Sequence, residues 1–246
     1  MKVDVAHISL LGNREENQDR VSVLTGDKST LLIAIDGMGG HAGGAEAARL
    51  CVEVITNEFE AAGHPVFDPQ GFMHHAIGKA HAALVNLGTQ ISVEARPRAT
   101  CALCLVQDGY AYWAHVGDSR IYHFRNLGLH ERSRDHSHVE VLLQEGLITE
   151  EEVSTHPMRN FVECCLGGDL ALPSMTITSY KRLTQGDVML VCSDGFWSGL
   201  SNEQMATLTT SDAAFAKHLE KLGERAVKVT APHSDNTSAA ALRYAG

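Results

Sequence analysis

Aspartates placed at the ends of predicted strands are the residues of this chain best suited to chemistry. The apolar runs 31–35, 110–116 and 188–193 lead into Asp-Gly or Gly-Asp pairs, and a further aspartate precedes the apolar run 237–242. Apolar runs of this length bounded by glycine are typical of buried strands. Each strand therefore brings a carboxylate to the edge of the core: Asp36, Asp118, Asp194 and Asp235.

Such carboxylates suggest a metal cluster. One Asp-Gly pair after a strand is also typical of an ordinary turn, and repetition of the pattern is what favours a site. Converging carboxylates repel one another unless cations lie between them. Hard oxygen ligands without paired Cys or His residues favour Mg²⁺ or Mn²⁺ over zinc.

The six cysteines do not form a plausible zinc or disulfide framework. Cys101 and Cys104 lie three positions apart in a predicted strand, so their side chains should face opposite sides of the sheet. Cys164 and Cys165 are adjacent, which is equally poor geometry. We therefore predict reduced thiols in a cytoplasmic protein.

Length and composition describe an ordinary soluble globular protein. The 246 residues contain 44% hydrophobic and 20% charged residues, and they allow one large domain, predicted to span residues 1–246. The net charge of −10 argues against a nucleic-acid partner. No apolar stretch approaches the length of a membrane span, so no membrane partner is expected, and the N-terminus lacks a signal-peptide pattern.

The remaining patterns predict an alternation of helices and strands. Apolar periodicity predicts helices over 45–61 and 72–94, and capping signals predict shorter ones after Asp135, Thr149, Ser201 and Asp212. Strands are predicted over 3–10, 100–106, 110–116, 120–125, 174–180, 187–193 and 237–244. Histidines at 74, 75 and 81 have no metal-binding spacing and are interpreted as surface or packing residues.

Several short motifs, in their order along the chain, resemble the metal-dependent protein phosphatase family of type 2C in its compact bacterial form. They are Arg14 to Asp19, Asp36-Gly37-Met38-Gly39-Gly40-His41, Gly117-Asp118-Ser119-Arg120, Asp135-His136-Ser137, Ser193-Asp194-Gly195 and Asp235-Asn236. The resemblance implies an α+β fold: a four-layer α/β-β/α sandwich of two antiparallel sheets flanked by helix pairs. It also implies a mobile flap beside the active site, at about residues 145–166.

The resemblance implies a role for each matching residue. Asp36 would bridge two metal ions, with the Gly37 carbonyl also on one of them. Asp194 and Asp235 would complete the first ion's ligands, and Asp19 would hold metal-bound waters. Asp118 would share a third, weaker ion with Asp194. The cofactors would be Mn²⁺ or Mg²⁺.

Hydrolysis of a phosphate ester suits this assembly. Two divalent ions roughly 3.5–4 Å apart acidify a bridging water for in-line attack on phosphorus. Arg14 has a planar, permanently charged guanidinium suited to phosphate, although a single arginine in an acidic turn is also often a solvated surface residue. The resemblance favours Arg14 as the phosphate-holding residue.

Two positions depart from the family pattern. Met38 stands where eukaryotic relatives have a histidine, so a metal-bound water, or His41, would protonate the leaving alkoxide. Gln18 stands where many relatives have a glutamate, which bears on the affinity of the second ion.

The sequence therefore predicts a phosphoserine/phosphothreonine protein phosphatase that reverses a bacterial kinase and acts as a monomer on phosphorylated proteins. One alternative is a catalytically weak phosphoprotein-binding regulatory module of the same fold. A metal-dependent phosphodiesterase ranks third, because His136 is the only histidine beside an aspartate.

Overall fold

A computed structural model of the chain describes residues 1–38, 42–153, 155–210 and 214–246. The strands are β1 (Val3–Leu10), β2 (Asp19–Gly26), β3 (Ser29–Met38), β4 (Arg98–Ala99), β5 (Cys101–Gln107), β6 (Tyr110–Val116), β7 (Arg120–Arg125), β8 (Gly128–Arg132), β9 (Leu166–Gly167), β10 (Thr176–Ile177), β11 (Lys181–Arg182), β12 (Val188–Cys192) and β13 (Thr237–Tyr244). The helices are α1 (Ala42–Ala61), α2 (Pro69–Leu87), α3 (His138–Gln144), α4 (Glu150–Val153), α5 (Asp194–Trp197), α6 (Asn202–Ala206) and α7 (Phe215–Thr230).

The strands form two antiparallel sheets. One has the order β1-β13-β12-β7-β8, and the other has the order β10-β6-β5-β3-β4-β9, with β2 paired to β3 and β11 to β6. Three apolar cores separate the layers: one between the sheets, one under α1 and α2, and one under α5, α6 and α7. This is the four-layer sandwich expected from the sequence.

Alternation along β3 explains its unbroken apolar run. Leu31, Ile33 and Ile35 pack in the core under α1 and α2. Leu32 and Ala34 pack in the core between the sheets. Because side chains alternate with a period of two, both faces of this strand are buried and Asp36 continues the face directed at the other sheet.

The prediction that Cys101 and Cys104 face opposite sides of their sheet is confirmed by the same alternation. Cys101 lies in the helix-side core and Cys104 lies in the core between the sheets. All six cysteines are free thiols.

Some predicted boundaries were wrong. The second helix spans Pro69–Leu87, not 72–94, because the Asp68 side chain caps it by accepting a bond from the Gly71 N–H and Gly88 ends it. The predicted strand 174–180 is reduced to β10, because the Trp113 N–H donates to the Thr178 hydroxyl and not to the Thr178 carbonyl, which accepts from the Gln70 side chain. Asp212, the predicted start of the last helix, lies outside the described residues.

Within the described residues, no helix is both long and apolar enough to cross a membrane.

Candidate active site

A cavity of about 670 Å³ opens at the end of the sandwich where the predicted carboxylates meet. Its lining includes Arg14, Asp36, Asp118, Asp194 and Asp235. Since strand pairing is antiparallel, the end of one strand adjoins the start of the next. Residues that are up to 221 positions apart therefore share one pocket.

Strand register places Asp19 beside Asp36. The two residues are directly paired across β2 and β3. Val21 and Val23 of β2 pack against the core between the sheets, so Asp19 lies on the same face as Asp36 by period-two alternation. Asp19 is only 2% exposed, and the Ser193 hydroxyl donates to its Oδ2 at 2.6 Å.

Thr100 fixes the backbone of Asp36. The Thr100 N–H donates to the Asp36 carbonyl at 2.8 Å, and the Asp36 N–H donates to Thr100 Oγ1 at 3.2 Å. Thr100 Oγ1 also lies 2.7 Å from the Ser119 hydroxyl, beside Asp118. The two aspartates at the ends of β3 and β6 are thus connected through one buried threonine.

An arginine–aspartate pair and a tryptophan support Asp118. The Trp197 indole N–H donates to the Asp118 carbonyl at 3.0 Å. The Arg120 guanidinium lies 3.5 Å from the centre of the Trp197 ring and makes a bidentate pair with Asp135 at 2.8 and 2.7 Å. Gly117 has φ of +98°, a conformation that glycine adopts without strain, and it turns the chain toward the pocket.

Buried Asn236 holds the polar turn that contains Arg14. Its amide donates to the carbonyls of Leu11 and Glu16 at 2.9 and 3.0 Å, and its Oδ1 accepts from the Gln18 N–H at 2.8 Å. Asn236 is 6% exposed, so these bonds lie largely away from solvent. The turn between β1 and β2 is therefore attached to the entry of β13.

Arg14 lies at the rim of the cavity and pairs with Asp235. Its Nη2 is 2.6 Å from Asp235 Oδ2, and the two side chains are 55% and 37% exposed. Asp235 Oδ1 accepts from the Asn236 N–H at 2.8 Å. The guanidinium thus stands at the mouth of the pocket, where an incoming anion meets it.

Burial and mutual repulsion raise the pKa values of the inner carboxyls. For Asp36, burial and then the charge of Asp19 hold the pKa well above its ordinary range. For Asp118, burial and then Asp194 raise the pKa to about 7. For Asp194, burial and then Asp235 raise the pKa to about 6.

Asp19 is similarly affected. Burial raises its pKa to about 8, with Asp194 and Asp235 adding to the shift, although bonds from Ser193 and Ser238 oppose it. These raised pKa values result first from burial of the carboxyls and then from their mutual repulsion, and both effects favour a bound cation.

The donor set fits hard divalent cations. It consists of carboxylates and backbone carbonyls, and among the described residues Arg14 is the one arginine or lysine that forms an ion pair with any of these five aspartates. Among the described residues, no three His, Cys, Asp or Glu side chains form a ready-made site around one ion. Mg²⁺ commonly uses only one or two carboxylates and keeps several waters, so this arrangement is compatible with it.

The structure brings together most of the predicted site residues. Gly37 and Met38 line the cavity beside Asp36, and Gln18 also lines it. Asp19 lies deeper, bonded to Ser193. His41, the alternative proton donor, lies outside the described residues.

Sequence reasoning assigned no role to several residues at the site. Thr100 and Trp197 come next to the aspartates only when the chain is folded, and no spacing in the sequence identifies them. Asn160 and Val162 line the cavity from the predicted flap, and Val162 pairs with Ser137 in an isolated bridge. The bridge between Val162 and Ser137 involves the Asp135-His136-Ser137 motif, which is the sequence signal that could have indicated this contact.

Comparison with known proteins agrees with this geometry. The profile of the family "Protein phosphatase 2C" matches residues 9–235. Protein phosphatase PhpP of Streptococcus pneumoniae is 29% identical over 212 residues, which cover 85% of each chain.

Solved structures extend the match over the whole chain. The serine/threonine phosphatase of S. agalactiae superposes with a TM-score of 0.89 at 26% identity and covers 100% of both chains. The catalytic domain of the serine/threonine protein phosphatase PstP, in complex with two manganese ions, gives 0.82 at 26% identity and covers 99% of both. The chain belongs to the protein phosphatase 2C family.

Proposed function

We propose that the carboxylates of this pocket hold the metal ions of a protein phosphatase. As a family member the chain is a metal-dependent protein serine/threonine phosphatase, and its substrates are phosphoproteins. The observation that carries the site assignment is the convergence of carboxylates from both sheets on one cavity with a single arginine.

Individual residues receive roles within this proposal. Asp36 and the Gly37 carbonyl would hold two metal ions together with Asp194 and Asp235, and Asp118 would hold a third, weaker ion with Asp194. Mn²⁺ or Mg²⁺ suits these oxygen donors. When bound, such ions supply Lewis acidity and a nucleophilic hydroxide at neutral pH.

The protein's own groups orient this chemistry. Ser193 fixes the Asp19 carboxylate, and Thr100 fixes the backbone of Asp36. Arg14 binds the non-transferred phosphoryl oxygens and exchanges its contact with Asp235 for the substrate, because a phosphate group carries more charge than one carboxylate. Met38 has no titratable proton, so protonation of the leaving group falls to another group, with His41 the nearest candidate in sequence.

The segment 145–166 is proposed as the flap. Asn160 and Val162 line the cavity, and the Phe161 carbonyl accepts from the His138 N–H at 3.0 Å. We further propose a monomer that works in the cytoplasm against a serine/threonine kinase. The free cysteines support a reducing compartment.

Dephosphorylation of a phosphothreonine peptide, with Mn²⁺ or with a chelator, tests the proposal. We expect turnover with Mn²⁺ and its loss after chelation, and restoration on adding the metal back. Full activity after exhaustive chelation would contradict the metal mechanism. Peptide binding without turnover under any metal would favour the regulatory-module alternative.

A further inference from the structure

A second concave surface lies on the helical layer over the five-stranded sheet. It has a volume of about 810 Å³ and is formed by α6 and α7. We call it the α7 groove and define it by His218, Lys221, Leu222, Arg225, Lys228 and Val229. None of these residues belongs to the active-site cavity.

The α7 groove is basic on an acidic protein. Lys221, Arg225 and Lys228 follow one another at spacings of four and three, which places them on one face of the helix. All three are exposed, and within the described ranges none of them forms an ion pair. The whole chain has a net charge of −10, so this is a local reversal of the overall sign.

His218 lies beside the same positive charges, and they affect its pKa. Its ring lies 3.0 Å from the Thr207 hydroxyl at the edge of the groove. Burial, then Lys221 and Arg243, lower the pKa of His218. Like charges gathered in this way cost energy unless an anionic partner offsets them.

The groove also has apolar surface. Leu222 is 7% exposed and forms part of the core, whereas Val229 is 61% exposed at the surface. An inorganic anion makes no favourable contact with an exposed valine. A polypeptide with acidic and apolar side chains contacts both the charged and the apolar surface of the groove. The mixture of charge and apolar area therefore fits a peptide segment.

A short stretch of chain connects the α7 groove to the active site. Helix α7 ends at Thr230, five residues before Asp235, and Gly199 packs tightly against Ala226. Asp235 is seven positions after Lys228, so at most about 25 Å separates their Cα atoms. A single extended chain with a spacer on the order of ten residues spans that distance.

We propose that the α7 groove docks an acidic segment of the phosphoprotein substrate, separated along the chain from the phosphorylated residue. The proposal rests on the phosphatase function and adds a second point of contact to it. A nucleic acid or an anionic membrane is disfavoured because either would extend beyond the groove over the remaining surface of a protein with a net charge of −10, whereas a short acidic segment contacts only the groove.

Two phosphothreonine peptides that differ only in their distal segment test this proposal. One has a block of glutamates after a ten-residue spacer, and the other has a serine-glycine block there. We expect KM to be about threefold to thirtyfold lower for the acidic peptide, with kcat unchanged, and the difference to shrink at high salt.

Charge reversal should remove the preference. In the variant Lys221→Glu/Arg225→Glu/Lys228→Glu the two peptides should have equal KM values. The matched control is Lys2→Glu/Lys28→Glu/Lys79→Glu, which makes the same change of charge at three exposed lysines outside the lining of both the groove and the active-site cavity. Glu224→Gln, which removes the acidic residue lining the groove, should strengthen the preference.

A small chromogenic phosphate ester separates this proposal from the phosphatase function itself. Its hydrolysis should be the same in every variant, and thermal melts should show that each variant is folded. Equal KM for both peptides in the wild type would overturn the docking proposal while leaving the phosphatase function intact. So would an equal loss of the preference in the control variant with three reversed lysines, or RNA or anionic vesicles competing for the groove while the acidic peptide does not.

Discussion

Replacing Arg14 by alanine should reduce catalysis strongly and stability only slightly. The Arg14–Asp235 pair is 2.6 Å long, but its side chains are 55% and 37% exposed. Exposed pairs of this kind contribute about 0–1 kcal/mol to the free energy of unfolding. For a domain of this size, the melting temperature should therefore fall by no more than about 2–4 °C.

The catalytic effect should be larger because Arg14 faces the phosphate. A hydrogen bond to a charged group contributes about 1.5–3 kcal/mol. Loss of that contact corresponds to a fall in kcat/KM of roughly ten- to a hundredfold. The fall should appear with a phosphopeptide and with a small chromogenic ester, since both contain the phosphoryl group.

Arg49 is a matched control for this experiment. Its side chain is 53% exposed and pairs with Glu46 and Glu53 on α1, outside the cavity lining. Arg49→Ala should leave kcat/KM unchanged and cause a similarly small change in melting temperature. If Arg14→Ala retains full kcat/KM, or if both variants lose the same amount, Arg14 has no role in phosphate binding.

Four further predictions concern the carboxylates and their neighbour Gln18. Asp36→Asn should abolish turnover yet leave a metal-free protein at least as stable, because one repelling charge is removed; turnover near the wild-type value with a native circular dichroism spectrum would show that Asp36 is a turn residue only. Asp118→Asn should lose turnover, and a high Mn²⁺ concentration should partly restore it. Gln18→Glu should lower the Mn²⁺ concentration needed for half-maximal activity by about ten- to a hundredfold. If the Mn²⁺ titrations of Gln18→Glu and the wild type superimpose, the side chain at position 18 does not affect metal binding. In chelator, the melting temperature should fall as pH rises from about 4 to about 8, because folded Asp19 has a pKa of about 8 against 3.8 as the ordinary value and keeps a proton that the unfolded chain releases. Mn²⁺ should remove this dependence, and a melting temperature that rises over that range in chelator would contradict the raised pKa of Asp19.

Local sequence determined the strands that carry the site. The run 31–35 is apolar at every position because β3 is buried on both faces, and this pattern requires no knowledge of its neighbours. Strands β6, β7 and β13 were predicted with the bounds that the structure has. The Ser201-x-x-Gln204 pattern likewise predicted a capping box that is present at the start of α6. In each case the deciding interactions are short-range or depend only on alternation between two faces.

Tertiary structure decided which residues meet. Arg14 and Asp235 are 221 positions apart, and only the pairing of β1 with β13 brings them to 2.6 Å. The bonds of Thr100 to Asp36 and of Trp197 to Asp118 have no sequence signal, because neither spacing nor residue type requires them. The basic α7 groove is likewise visible only when α6 packs beside α7. Periodicity indicates which face of an element is buried, but it does not indicate what the other elements place opposite that face; strand register and layer packing decide that.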